Sequence, residues 1–207
     1  MILVICIFYE GSKSDIMDNF DIQILSKLLN NCRESDRQIG IDLGMSGGAV
    51  NARIRKMQKL EIIEEFYIVV EPPVLGYGIL YFVISGENMK EILEQVSLVG
   101  EPHFVAPCVG GITVCSIIVK ENLEQKIQLA KKLMKDFKVI SIFEAENPGF
   151  NTDLTKTDLE ILEELLKEPR QKIEAIAKKT KLSTKTITRC IEKLQKNEGI
   201  KFTTIYD

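Results

Sequence analysis

Thr184, Lys185, Thr188 and Arg189 follow directly on Ser183, placing short hydroxyls beside long cations at the start of a stretch with helical apolar spacing. On the open side of a capped helix, hydroxyls of this reach can bond base edges, and the cations can meet phosphate oxygens. Lys193, Lys196 and Lys201 extend the charge. Between Lys167 and Lys201 eleven lysines and arginines stand against four glutamates, a surplus of seven positive charges in a chain whose net charge is −3. For a nucleic-acid partner the distribution of charge matters more than its sum. The pattern predicts local binding rather than a protein that coats nucleic acid everywhere.

The elements that must position these groups occur twice. Asp21 to Ile63 registers without a gap on Asp158 to Ile200. Leu28-Leu29 falls on Leu165-Leu166, Arg33 on Arg170, Met45-Ser46 on Leu182-Ser183, Val50 on Ile187 and Ile54 on Ile191. Two copies are too few for a solenoid, so the repetition reads as two modules of one kind. In the first, Ile24, Leu25, Leu28 and Leu29 form a helical stripe, and Ser35 to Gln38 has the lettering of a capping box. Gly44 supplies a sharp turn, and Ser46 caps a third helix that buries Val50, Ile54 and Met57. In the second, Thr155 and Asp158 open a helix with Ile161, Leu162, Leu165 and Leu166 as its core stripe, and Pro169 ends it. Ser183 then caps a helix burying Ile187, Cys190, Ile191 and Leu194, and Ile200 to Tyr206 alternates as a wing strand. Short helices, a tight turn and a capped third helix form the unit that sets a helix in the major groove of double-stranded DNA.

The candidate DNA-contacting residues are therefore Ser46, Gly47, Gly48, Asn51, Arg55 and Lys56 in the first head. In the second they are Ser183, Thr184, Lys185, Thr188, Arg189, Lys193, Lys196 and Lys201. Gly47-Gly48 offers no side chains where base readout normally occurs, although backbone amides there could approach a phosphate. The first head's cations are outnumbered by neighbouring acids, so the second head is expected to be the stronger phosphate binder. The plain alternative is that each amphipathic helix is simply a solvated surface; the ungapped repetition of cap, turn and core argues for reading heads.

Between the heads the period changes. Ile79–Ser85, His103–Cys108, Ile112–Val119 and Val139–Phe143 read as strands. Met89, Ile92, Leu93 and Val96 mark one helix, and Ile127, Leu129, Ala130, Leu133 and Met134 mark another. The order βαββαβ is that of a ferredoxin-like sandwich, whose uncovered sheet face a second subunit would cover economically. The expected fold is α+β: residues 1–16 an extension or short strand, 17–70 a winged helix-turn-helix, 71–148 the sheet domain, and 149–207 a second winged helix-turn-helix. Translation could instead begin at Met17.

On Asp18, Asp21 to Leu25, Arg33, Leu43 to Ser46, Arg53 to Met57, Ile63 and the βαββαβ block, residues 17 to about 146 resemble the Lrp/AsnC family of transcription regulators. The resemblance implies a winged helix linked to a dimerising domain that hosts a small-molecule effector, here placed at Gly110, Gly111 and Thr113. The acid that family members commonly carry after that glycine is missing, and Glu61 stands where a glycine usually follows the reading helix. The C-terminal head is an addition to the usual family architecture.

Five scattered cysteines and a single histidine, His103, give neither a disulfide framework nor a metal-ligand spacing. No cofactor is expected, and the run Ile2 to Tyr9 is too short to span a bilayer. The chain reads as a cytoplasmic, non-enzymatic DNA-binding regulator, a homodimer or higher homo-oligomer with no membrane partner. Two alternatives stay open. One is an adaptor whose winged helices dock proteins; the other is an enzyme of the same fold resembling sirohaem decarboxylases, in which His103 would serve. A hairpin turn alone also accounts for Gly110-Gly111.

Overall fold

The computed structural model describes residues 17–206 apart from Glu87 and Glu121. The strand expected over Ile2 to Tyr9 lies outside the described residues.

The first head comprises α1 (Asn19–Asn30), α2 (Asp36–Leu43), α3 (Gly47–Lys59) and β1 (Ile63–Val70). The Asp18 carboxylate caps α1 by accepting from the Phe20 and Asp21 amides, and its own amide donates to the Asp21 carboxylate at 3.3 Å. That reciprocal pair satisfies amides a helix start would otherwise leave open. On α2 the box forms by half. Ser35 accepts from the Gln38 amide at 3.1 Å, but the Gln38 side chain bonds Asp42 at 2.8 Å instead of returning to the cap. Gly44 closes α2 in the left-handed region at φ 71°. A Cβ at Gly40 would lie 2.5 Å from the Met45 carbonyl oxygen, and one at Gly47 would lie 3.1 Å from the Arg37 Cα. Glycine at both places lets the start of α3 settle against α2. Ile24, Leu28, Ile39, Val50, Ile54, Met57, Ile62 and Ile63 form the core.

The middle segment runs β2 (Gly78–Ser85), α4 (Met89–Ser97), β3 (Glu101–Cys108), β4 (Ile112–Val119), α5 (Leu123–Leu133) and β5 (Lys138–Ala145). Its antiparallel sheet has the order β3-β4-β2-β5. Leu80, Phe82 and Ile84 alternate onto one face with Cys115 and Ile117, and there Ile92 and Val96 of α4 and Ala130 of α5 cover them. Alternation puts Tyr81, Phe104 and Phe143 on the other face, where the Tyr81 and Phe143 rings stack at 5.5 Å. Gly110 and Gly111 sit at φ 89° and 71° in the short loop joining β3 to β4. Met89 and Leu129, assigned to the helix cores from spacing, are exposed, because α4 and α5 each bury only a narrow stripe.

The second head follows as α6 (Lys156–Lys167), α7 (Ile173–Thr180), α8 (Thr184–Gln195) and β6 (Ile200–Tyr206). Thr155 and Asp158 reproduce the reciprocal cap: the Asp158 amide donates to the Thr155 hydroxyl at 3.2 Å, and the Thr155 amide donates to the Asp158 carboxylate at 2.9 Å. All four expected α8 residues, Ile187, Cys190, Ile191 and Leu194, are buried. Leu166, expected in the α6 stripe, is 49% exposed; it lies a further 100° around the helix from Leu165 and overshoots the core.

The chain divides into two compact units, and the division differs from the head, sheet and head expected along the sequence. One unit takes in the described residues to Val69, Glu160–Gln195 and those from Lys201; the other holds Val70–Leu159 and Lys196–Ile200. The two heads share a unit because β1 and β6, expected to be separate wings, pair with each other in a two-stranded sheet. The two strands, Ile63–Val70 and Ile200–Tyr206, stand at opposite ends of the described chain, which hides their pairing from a reading along the sequence.

Candidate nucleic-acid interface

The open side of α8 gathers the hydroxyls and cations singled out in the sequence. The Ser183 hydroxyl accepts from the Thr186 amide at 3.1 Å, fixing the helix start. Thr184, Lys185 and Arg189 are exposed just beyond it, and Thr188 is half-buried with its hydroxyl donated to the Thr184 carbonyl at 2.9 Å. That leaves the Thr188 oxygen free to accept. Among the described residues, no side-chain ion pair or hydrogen bond engages Lys185, Arg189, Lys196 or Lys201, and all four are exposed. Lys193 is half-buried and already partnered. The positive dipole end of the helix lies beside Lys185, so the start of α8 suits an anionic backbone.

The equivalent surface on α3 is built differently. Ser46 caps it through the Ala49 amide at 3.1 Å. Gly47 is used in packing against α2, while a Cβ at Gly48 would meet only the Ser46 hydroxyl oxygen, in ordinary contact at 3.9 Å. The Asn51 amide donates to the Asp36 carboxylate at 2.7 Å, which ties down the one amide side chain expected to read bases. Arg55 is exposed, and Lys56 lies 3.8 Å from Asp21.

Arg53, noted in the sequence only for the family resemblance, locks the head from inside. Its guanidinium reaches Asp18 at 2.8 Å and the buried Asp21 at 2.7 Å, and it lies 5.5 Å over the Phe20 ring. The Asp21 amide, followed by Arg53, holds the Asp18 carboxyl below its usual range, and the two carboxylates raise Arg53 in turn. The i, i+3 spacing of Asp18 and Asp21 was a legible cap signal; its arginine partner on another helix was not.

The heads meet around a pair of equivalent arginines. Arg33 donates to the carbonyls of Pro169 and Gln171, the latter at 3.1 Å, either side of its own repeat equivalent Arg170. Arg170 bonds Asp36 at 2.5 Å and lies 5.0 Å over the Phe66 ring. The Cys32 amide donates to the Phe202 carbonyl at 2.9 Å, and the hydroxyls of Thr203 and Thr204 donate to the carbonyls of Leu29 and Glu65, each at 2.8 Å. Burial pushes the Cys32 thiol up to about 11 and the Arg33 guanidinium down. Matching arginines at corresponding repeat positions were the one sequence signal that could have exposed this contact.

In the sheet unit, Thr113 is buried and its hydroxyl donates to the Gly86 carbonyl at 2.7 Å. His103 is exposed on β3, at the point where the register with β4 shifts between Pro102 and Phe104.

Two family models match these same segments: an AsnC-type helix-turn-helix domain over residues 17–58 and a winged helix-turn-helix DNA-binding model over residues 154–201. The HTH-type transcriptional regulator Ptr1 of Methanocaldococcus jannaschii is 31% identical over 112 residues, which cover 53% of this chain and 76% of that protein. The chain belongs to the Lrp/AsnC family. Another Lrp/AsnC relative, the HTH-type transcriptional regulator LrpB of Bacillus subtilis, is 39% identical over 72 residues, covering 35% of this chain and 48% of that protein. Among solved structures, the siroheme decarboxylase NirDL aligns with a TM-score of 0.58 at 12% identity, over 90% of this chain and 65% of that one. At that identity the likeness is one of fold. Within the Lrp/AsnC chain, the added C-terminal head is thus matched both by a family model of its own and by a fold that extends across it.

Proposed function

We propose that the chain is a DNA-binding transcription regulator of Lrp/AsnC type in which α8 supplies the principal contact with double-stranded DNA. The observation that carries this reading is the exposed start of α8. Lys185 and Arg189 stand there without partners among the described residues, beside Thr184 and Thr188, on a Ser183-capped helix. Lys196 and Lys201 add phosphate contacts at the edge of the head. Ser183 and Lys193 position this surface more than they touch DNA, since the serine hydroxyl is spent on the cap. In the first head Arg55 and the backbone around Gly48 make the weaker contact, with Ser46, Gly47, Asn51 and Lys56 as its support.

In this reading the middle unit is a ferredoxin-like sandwich that dimerises. Its βαββαβ order and the strand order β3-β4-β2-β5 support that, as does the open face bearing Tyr81, Phe104 and Phe143, the last 47% exposed. Because the Thr113 hydroxyl already serves Gly86, the backbone of Gly110 and Gly111 is what remains there for a small effector. No described helix is long and apolar enough to cross a membrane.

The test is fluorescence anisotropy of full-length protein against duplexes recovered from a random pool, in rising salt. Binding should weaken steeply as counterions compete for the phosphates. Failure to recover any duplex, or binding indifferent to salt, overturns the reading.

A further inference from the structure

The contact between the heads is built on a pair of repeat equivalents. β1 pairs with β6, which is its repeat equivalent, and Arg33 grips the two residues flanking Arg170, its own counterpart. A strand pairing with its own repeat equivalent is what an approximate two-fold axis between two bodies produces, while the side-chain contacts across it are unlike, Arg33 meeting backbone carbonyls and Arg170 meeting Asp36. A second chain usually supplies such a partner; here a second head of the same chain does.

This contact also reaches the reading helix. Arg170 of the second head bonds one oxygen of Asp36 at 2.5 Å, and the other Asp36 oxygen takes the Asn51 amide of α3 at 2.7 Å. Gln195, at the end of α8, donates to the Asn31 side chain at 3.2 Å. Each reading helix is therefore tied by hydrogen bonds into the contact between heads. The tie on α3 crosses to the opposite head through one carboxylate, and the tie on α8 is direct. The chemistry of the two faces stays unlike, with Gly47-Gly48 on one at the positions of Thr184-Lys185 on the other.

We infer that the two heads of one chain act as a single, internally paired reader that engages two unlike, inverted DNA half-sites at one fixed spacing. This rests on the DNA-binding reading above and deepens it. Heads on an independent tether would accept a range of spacings, with avidity set by effective concentration. Heads held by a shared sheet accept one. Inserting base pairs between the half-sites must then remove the second contact, whether the insertion turns the helix by half a turn or by a full one.

Duplexes recovered by selection on the full-length protein, resynthesised with 5 bp or 10 bp inserted at their centre, test this. Both insertions should weaken binding by about 100-fold, the scale of a lost tethered contact. Hydroxyl-radical footprinting of the unmodified duplex should show two protected patches of unequal strength. The double variant Arg33→Ala, Arg170→Ala should lose most of the insertion penalty, whereas Lys185→Ala, Arg189→Ala should weaken binding at every spacing. Salt-sensitive binding that tolerates both insertions within about threefold, or gives one patch only, overturns the paired reader and leaves the DNA-binding reading standing. So does an Arg33, Arg170 variant that folds and keeps the full penalty. The footprint of the unaltered protein decides the matter even if that variant fails to fold. Recovery of no duplex at all overturns both.

Discussion

The two heads share a fold and differ in what their charges do. In the first, Arg53 is spent on Asp18 and Asp21, Lys27 on Asp42 and Glu34, and Arg33 on backbone carbonyls of the second head. In the second, Lys167 and Lys179 pair with Glu164, and Arg170 with Asp36, but the cations at the start of α8 are left to solvent. The two copies share a helix framework and use their charges differently. One copy is braced from within, and the other leaves the cations at the start of α8 exposed. The lesson is that counting lysines and arginines per domain says less than asking which of them already have a carboxylate.

The comparison breaks most easily at the cores. Ile54 and Ile191 are equivalent and buried in both heads, so replacing either with alanine should cost about 2–5 kcal/mol. Because the heads share one unit, chemical denaturation followed by circular dichroism should show either variant loosening both heads in one transition. Separate transitions would return the heads to independent status. Next in size is the ranking on DNA. Lys185→Ala with Arg189→Ala should abolish detectable gel shift, while Asn51→Ala with Arg55→Ala should only weaken it, since Asn51 is already engaged by Asp36. The reverse ranking would transfer the reading role to the first head.

Removing Arg170 sharpens the comparison further. Arg170→Ala loses the Asp36 bond and the packing over Phe66, a partly buried charge-assisted contact worth roughly 1–3 kcal/mol, readable as a lowered unfolding midpoint. A smaller effect of opposite sign is expected at the turn. Lys181 ends α7 at φ 59°, the position Gly44 takes in the first head at φ 71°. Lys181→Gly relieves that strain against greater freedom in the unfolded chain, so a gain of up to about 1 kcal/mol is expected. A marked loss would mean the lysine side chain contributes contacts of its own.

Acid should act on both heads at once. The Asp18, Asp42 and Glu164 carboxyls are held below their ordinary values, respectively by the Asp21 amide and Arg53, by Lys27 and Gln38, and by Lys167 and Lys179. A lowered folded-state value means the stability is present above the ordinary carboxyl range and is lost as pH falls through it and below. Thermal midpoints measured downward from pH 5 should therefore decline, and an Asp18→Asn variant should decline less steeply.

Much of the framework was legible because it is local. Ser46 and Ser183 cap the helices expected of them, Gly44 makes the expected turn, and the βαββαβ order follows from a change of hydrophobic period. Glu61 shows the limit of that logic. It stands where the family has glycine, and the chain still turns there at φ 56°. A left-handed turn of the kind glycine favours forms there on a glutamate. The pairing of β1 with β6 lay beyond local reading, since strand lettering says nothing about which distant edge a strand will find. Asn51 shows the same limit at the candidate site. Its position on α3 was readable, but not its bond to Asp36, a carboxylate that Arg170 also engages from far along the chain.

The salt dependence of DNA affinity in unaltered protein and in the Lys185→Ala, Arg189→Ala variant tests the central claim most directly. If α8 carries the phosphate contacts, log K should fall steeply with log salt, and any affinity the variant retains should show a slope shallower by about two. An unchanged slope would place the DNA contact elsewhere on the molecule and contradict the account.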